Sequence, residues 1–330
     1  MSMRLFLTGA TGFVGLNLLL EALRLGRYRE IVACVRDPEK LARQLVFEGF
    51  AELPPALRIT RWNEPPPGEF DHAVHCAGVL FARQRDDYFR VNVEETLALL
   101  TRLSSATRLI ALSSQSAGGP TPIGKSIRTA ADPDTPLTWY GESKLAMERR
   151  LTSERPGTFV WRPPMILGPR DRATLPLFQM AAGPLRIKPG LRAKSFSWIA
   201  VGDLTGAIFQ ALHASPWSPV SPLSVCAPDE ITDGQLIQTA AALMERPGFT
   251  VALPHGIMRG VASLVDAVPS LRAAAPSLTR DRVREMFADR WVIDGAAFRE
   301  AHASGPFSSL AETLRATRDW YVRAGMLRAA

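Results

Sequence analysis

The 330-residue chain is predicted to be an α/β protein: a doubly wound parallel sheet followed by a smaller, mostly helical lobe. Two observations predict this. Across the first half, short β-rich runs alternate with segments of helical period, the order that builds βαβ units and hence a parallel sheet. Beyond Pro163 the alternation loosens, prolines cluster from Pro216 to Pro222, and the remaining periodic segments are helical.

In chain order, residues 4–8 read as strand one, from the apolar run Leu5-Phe6-Leu7. Residues 16–25 read as a helix that stops near Gly26. Residues 30–35 form strand two, 58–62 strand three and 72–76 strand four, each short and rich in β-formers. Between the last two, Glu64-Pro65-Pro66-Pro67-Gly68 is a loop. Residues 88–103 are helical, 108–113 are strand five, 137–153 are a second long helix and 158–161 are strand six. Helices return over 232–245, 280–287 and 309–324. No internal repeat or low-complexity segment interrupts the plan.

The composition, with 46% hydrophobic and 22% charged residues, is the balance of a soluble globular protein. The net charge of +7 is carried mainly by arginines scattered in ones and twos among acidic residues. No basic block, zinc-finger spacing or RNA-binding signature accompanies it, so nucleic acid is not expected as a partner. Cys34, Cys76 and Cys226 are odd in number and match neither a disulfide framework nor a metal site. The five histidines have no carboxylate or cysteine partners at metal-ligand spacing, and no metal is expected. Strand one begins at Arg4 with no charged-then-apolar leader before it, and no apolar run approaches the ~18 residues of a membrane span. A reducing cytoplasm is the expected compartment. Residues 256–269 are moderately apolar, but Arg259 and Asp266 interrupt them, so a packed helix is expected there rather than a membrane contact.

Strand one runs into Thr8-Gly9-Ala10-Thr11-Gly12-Phe13-Val14-Gly15 and then into a helix. A tight turn, a close approach of backbone to a pyrophosphate, and strand–helix packing without a side chain between them all call for glycine. The free N–H groups and partial positive charge of the helix N-terminus suit phosphate. The spacing is Gly-x-x-Gly-x-x-Gly, and the flanking strand and helix make it a dinucleotide cradle of Rossmann type. The nucleotide-binding domain is assigned to residues 1–165, completed by about 196–225, with the smaller substrate lobe over 166–195 and 226–330. Arg36 ends strand two, about where such a fold reads the adenosine ribose. An acid there would suit a free 2′-OH, whereas arginine suits a 2′-phosphate, so NADP(H) is favoured over NAD(H).

Tyr140-Gly141-Glu142-Ser143-Lys144 puts a phenol and an ammonium on one helix face. A free tyrosine, with a pKa of ~10, is a poor base near neutrality, and a cation beside it stabilises the phenolate. Ile110-Ala111-Leu112-Ser113-Ser114-Gln115 is a strand ending in hydroxyls at the sheet edge where such folds hold ligands. A serine there can donate to an oxygen that gains charge.

With the glycine turn upstream, this assembly resembles the extended short-chain dehydrogenase/reductases, the NAD-dependent epimerase/dehydratase family. The resemblance covers most of the chain. It implies Tyr140, Lys144 and Ser114 as the catalytic groups, with Ser113 and Ser116 as other claimants to the serine. The cofactor loop after strand four falls on His75-Cys76-Ala77-Gly78, and the family's asparagine in the next helix on Asn92. The Arg-Pro-x-x-x-x-Gly-Pro stretch falls on Arg162 to Pro169, where backbone near Pro163 and Met165 flanks the nicotinamide. Val201-Gly202-Asp203-Leu204 and the ending at Trp320-Tyr321 also match.

Within that family, dehydratases carry acids directly after the catalytic hydroxyl, and here Gln115 and Ser116 stand there. Epimerases often hold the pyrophosphate with an arginine at the place Phe196 occupies, although Arg192 or Lys194 could substitute and Arg284 could add a contact. Phe196, Trp198, Met165 and Trp139 suggest an apolar pocket, with Gln115 as a polar contact to substrate. The pattern resembles the 3β-hydroxysteroid dehydrogenase and dihydroflavonol reductase branch. Expected, then, is alcohol–ketone oxidoreduction on a sterol-, terpenoid- or flavonoid-like small molecule. A nucleotide-sugar epimerase is the alternative, a non-catalytic NADP(H)-sensing protein is the third reading, and a homodimer is compatible with all three.

Overall fold

The computed structural model describes residues 3–62, 64, 66–268, 280–302 and 305–328. Its central sheet has seven parallel strands. These are β1 (Met3–Thr8), β2 (Tyr28–Val35), β3 (Leu57–Arg61), β4 (His72–His75), β5 (Arg108–Leu112), β6 (Phe159–Arg162) and, far along the chain, β10 (Leu223–Ser224). The order β10-β6-β5-β4-β1-β2-β3 reverses direction between β1 and β4. In an open α/β sheet that reversal leaves a crevice at the carboxyl ends of the strands, where ligands bind.

Strand periodicity explains how the sheet is covered. Leu5 and Leu7 of β1 enter one core with Ile31, Ala33 and Val35 of β2. Phe6, Val32 and Cys34 enter the other. Both faces are buried, so these strands are continuous apolar runs. On the first face lie α1 (Phe13–Leu25), α2 (Pro38–Phe47) and α8 (Val201–His213), through Leu18, Leu19, Leu41, Leu45, Leu204 and Ile208. On the second lie the helical stretch over 85–100 and α6 (Trp139–Glu154), through Leu97, Leu100, Met147 and Leu151. Helix α2 has a local cause that alternation alone does not reveal: the Asp37 carboxylate accepts from Lys40 N–H at 2.8 Å, and Pro38 starts the helix.

The stretch over 85–100 is three pieces: α3 (Arg85–Phe89), a π-helical segment Arg90–Glu95, and α4 (Thr96–Leu100). Between it and α6 lies the short α5 (Gln115–Gly118), packed on α6.

The part of the chain outside the central sheet, expected to form a smaller second lobe, is less purely helical than its sequence suggests. Strand β9 (Ser195–Ala200) pairs with β7 (Met165–Leu167), β11 (Glu230–Thr232) and β13 (Arg290–Trp291). A separate parallel pair joins β8 (Leu185–Pro189) to β12 (Phe249–Leu253). Helices α7 (Leu175–Ala181), α9 (Asp233–Leu243), α10 (His255–Ala267), α11 (Arg280–Phe287), α12 (Ala296–His302) and α13 (Leu310–Arg323) complete it. The core of this lobe gathers Phe178, Trp198, Ile231, Met244, Leu314 and Tyr321. The helix expected over 256–269 is described only to residue 268, and its last residue lies outside the described residues.

Candidate active site

The crevice at the sheet reversal opens into a cleft of about 840 Å³ that runs from the glycine turn into the second lobe. Behind its lining Thr8 lies fully buried at the end of β1. The Thr8 hydroxyl oxygen accepts from the amides of Cys76 (3.2 Å) and Ala77 (3.3 Å), binding the loop after β4 to the start of the glycine turn. Its proton goes to His75 Nδ1 at 2.9 Å. Thr96, which donates to the Val91 carbonyl, faces His75 Nε2 at 3.3 Å, and this network assigns the proton to Nε2. Burial, reinforced by the charge of Lys144, pushes His75 down to about 3, so it is a neutral structural imidazole.

Gly9 has φ +76°, and a β-carbon there would lie 2.7 Å from Ala77 N, so only glycine allows the two loops to meet. Helix α1 is capped by Gly12, which brings no side chain to the first-turn N–H groups. That leaves backbone donors at a positive helix end facing the cleft, a fit for a dinucleotide pyrophosphate. Asn92, in the π-helical segment, holds the far side of the Cys76–Gly78 loop. Its Oδ1 accepts from Val79 N–H at 2.8 Å, and its Nδ2 donates to Val79 O (3.1 Å) and Ser143 Oγ (2.9 Å).

The side chains expected from the sequence to carry the chemistry stand just after β5 and at the start of α6. Ser114 caps α5, its Oγ accepting from Ser116 N–H at 3.1 Å, while Gln115 N–H donates to the Pro163 carbonyl at 2.9 Å. Tyr140 and Lys144 stand one turn apart at the start of α6. Gly141 lies against the backbone of Ser116 and has no room for a side chain, so the Tyr140 turn can close on the Ser114 segment. The Tyr140 ring packs 6.4 Å from Tyr88. Lys144 is 5% exposed and its Nζ donates to the Leu112 carbonyl at 2.7 Å. Burial pulls it down to about 8, although Glu148 and Cys76 work the other way. The Ser113 hydroxyl and the Gln115 Nε2 are buried beside the cleft with no hydrogen-bond partner among the described residues. Among the described residues no group of three or more His, Cys, Asp or Glu side chains could hold a metal ion.

The sequence profile of the NAD-dependent epimerase/dehydratase family matches residues 5–217. The chain belongs to that family. It is therefore an enzyme of nicotinamide-dinucleotide chemistry, of the extended short-chain dehydrogenase/reductase kind. A relative described as a ceramide reductase, from Caulobacter vibrioides, is 29% identical over 327 residues, 97% of this chain and 95% of its own. Among solved structures, UDP-glucuronic acid 4-epimerase from Bacillus cereus, in complex with NAD, is similar at a TM-score of 0.74. It is 15% identical, with 98% of this chain and 100% of that one covered. The dTDP-glucose 4,6-dehydratase of Bacillus anthracis gives 0.68 and 15% identity over 97% and 96%. At these identities the two structures speak for the fold.

Most of the site residues expected from the sequence meet in the cleft. Gly9, Gly12, Phe13, Val14 and Gly15 line one end; Cys76, Ala77 and Gly78 line its side. Ser113, Ser114, Gln115, Tyr140 and Lys144 face them, with Pro163, Met165 and Phe196 beyond. Five do not line it. Thr11 is part of the turn but not of the lining, Arg36 is exposed after β2, and Asn92 is bonded to the loop after β4. Trp198 is 2% exposed in the core of the second lobe, and Trp139 starts α6, half-buried and outside the cleft lining. Sequence reading missed the apolar wall of Leu80, Phe81, Leu177, Leu236 and Met286, and the carboxylates of Asp171, Asp233 and Glu285. They come from five separate segments, and no motif joins them.

Proposed function

We propose that the chain is an NADP(H)-dependent reductase of ketones on long-chain, lipid-like substrates. The observation that carries this is the composition of the cleft's lining, to which Leu80, Phe81, Leu177, Phe196, Leu236 and Met286 contribute together with Tyr140 and Ser114. Burying a hydrocarbon chain there contributes about 0.8 kcal/mol per methylene, so affinity for such a substrate grows with chain length. The resemblance to a ceramide reductase over nearly the whole of both chains supports a lipid ketone rather than a sterol or flavonoid. Hydride is the chemistry a bound nicotinamide supplies. Ser114 donates to the carbonyl oxygen as it gains charge, Tyr140 transfers a proton to that oxygen, and Lys144 keeps the phenol acidic enough to exchange protons. The unpartnered Gln115 amide supports a substrate with a polar group close to the carbonyl.

The choice of NADP(H) rests on Arg36, exposed at the carboxyl end of β2. Its neighbour Asp37 is committed to capping α2, and that hydrogen bond holds its carboxyl below the usual range, so it is poorly placed to accept from a ribose hydroxyl. The three unpaired thiols suit a reducing, cytoplasmic setting. The test is purified protein with NADPH and a series of long-chain N-acylamino ketones, beside short ketones and nucleotide sugars. Stoichiometric NADPH consumption that strengthens with chain length is expected. Epimerisation of a nucleotide sugar would overturn the reading. Lys144 and Lys194 are the only cations lining the cleft among the described residues, which is little for a pyrophosphate in addition to the cofactor.

A further inference from the structure

Helix α11 brings two carboxylates, one turn apart, to the first turn of α6. Both Asp281 oxygens lie 3.3 Å from the Trp139 amide nitrogen. Glu285 Oε1 accepts from the Thr138 hydroxyl at 2.9 Å. That same hydroxyl accepts from Gly141 N–H at 3.2 Å as the N-cap of α6. A hydroxyl has one proton to give and two lone pairs, so the two bonds are compatible and form one chain. Trp139 and Gly141 are the residues on either side of Tyr140. The other end of α11 is held within the second lobe. The Trp291 indole N–H donates to the Glu285 carbonyl at 3.1 Å, and the Lys194 ammonium donates to the Met286 carbonyl. Glu285, Met286, Lys194 and Trp291 all line the cleft. One hydrogen-bonded unit therefore joins the wall of the substrate half to the turn that carries Tyr140.

We infer that Asp281 and Glu285 are positioning residues, by which the second lobe holds the first turn of α6 and so fixes the Tyr140 phenol against the substrate carbonyl. The inference rests on Tyr140 being the proton-transfer group. Two physical features favour it. The first N–H groups of a helix have no partner within the helix, and a carboxylate at its positive end is held by both charge and hydrogen bond. Tyr140 is the second residue of α6, where a helix frays most easily, yet misplacing a reacting group by about 1 Å can lower the rate a hundredfold. The ordinary alternative is that the contact merely joins two lobes.

The experiment separates these on the full-length protein with NADPH and the best ketone found. Asp281→Ala with Glu285→Ala should lower kcat by roughly tenfold to a hundredfold while substrate KM and NADPH Kd change little. Asp281→Asn with Glu285→Gln keeps an acceptor oxygen at each position and should restore most of the rate. Hydrogen exchange on Asp281→Ala alone should accelerate at the amides of residues 139–141. A double-alanine enzyme with wild-type kcat, or with a raised KM and lowered thermal midpoint only, would overturn the inference. So would unchanged exchange at those amides in the single variant. Tyr140→Phe in the same assay isolates the underlying reading: if it retains wild-type turnover, Tyr140 is not the proton donor, whatever α11 does.

Discussion

Lys144 is held at a cost to stability, and the cost can be read from its surroundings. Its ammonium is buried and falls from 10.5 to about 8 because burial disfavours the charge. At about 1.4 kcal/mol per pKa unit, charging it inside the protein opposes folding by about 3 kcal/mol. Lys144→Met removes that charge and keeps a side chain of similar length. It also leaves the Leu112 carbonyl without its 2.7 Å partner, a loss of about 1 kcal/mol. Without cofactor, the variant should therefore be more stable than the natural protein by about 2 kcal/mol at pH 7. A higher urea midpoint with an unchanged slope would register the gain. The sign fixes the pH dependence. Below about 8 both folded and unfolded chains carry the proton and the penalty is complete. Between about 8 and 10.5 only the unfolded chain binds it, so the natural protein gains stability with rising pH and the variant's advantage fades. The same variant should lose turnover and bind NADPH less tightly, the exchange of stability for function expected of an active-site group. Lower stability at pH 7, or an advantage that persists unchanged to high pH, would refute the burial argument. Retained turnover would refute the role.

Tyr140→Phe should reduce ketone turnover roughly 10²–10⁴-fold with NADPH affinity intact, and Ser114→Ala roughly 10²–10³-fold, as steady-state kinetics beside a cofactor titration would show. Arg36→Asp should abolish a preference for NADPH over NADH of about tenfold or more; equal affinities in the natural protein would dismiss Arg36 as the discriminator. His72 is lowered to about 4 by burial, with His213 and Arg108 adding to it, and His75 to about 3. Both stay neutral in the folded state while the unfolded chain takes up protons near 6.5. Stability should therefore be complete above that pH and fall as the pH drops through about 4, by about 3 kcal/mol for His72 alone. A flat urea midpoint from pH 7 to pH 4.5 would contradict it.

Features that demand one residue type were legible in the sequence. The glycine turn is one, because Gly9 meets the Cys76–Ala77 backbone at positive φ. The four-residue spacing of Tyr140 and Lys144 is another, because helix geometry alone puts them on one face. Short or tertiary features were not. The strands of the second lobe run two to six residues, too few for alternation to stand out. The π-helical segment that carries Asn92 has no compositional mark, although such segments often sit at functional sites. Phe196 and Trp198 do share a strand face, but periodicity fixes the face and not the depth. One reaches the cleft and the other fills the core. Trp139 precedes Tyr140 by one residue and is therefore turned about 100° away from it around the helix.

The two lobes are joined at two places, and under the proposed function this bears on where specificity resides. At one, Glu48, at the end of α2, accepts from Arg170 (2.6 and 2.8 Å), Arg323 (2.9 Å) and Trp320 (3.1 Å). Burial works to raise the Glu48 carboxyl, but these donors, led by Arg170, hold it below its usual range. Arg170 also donates to Asn17 of α1 at 2.8 Å, and Asn17 to the Pro169 carbonyl at 3.1 Å, so the helix after the glycine turn, the loop after β7 and the C-terminal helix share one network. At the other, α11 grips the first turn of α6. The apolar side chains of the cleft come from separate segments, Leu80 and Phe81 from the loop after β4 and Leu177, Phe196, Leu236 and Met286 from beyond residue 165. The groups proposed to do the chemistry, by contrast, are fixed at strand ends and helix starts of the central sheet layer. If Tyr140, Lys144 and Ser114 do the chemistry as proposed, that apolar surface can change residue by residue without disturbing them.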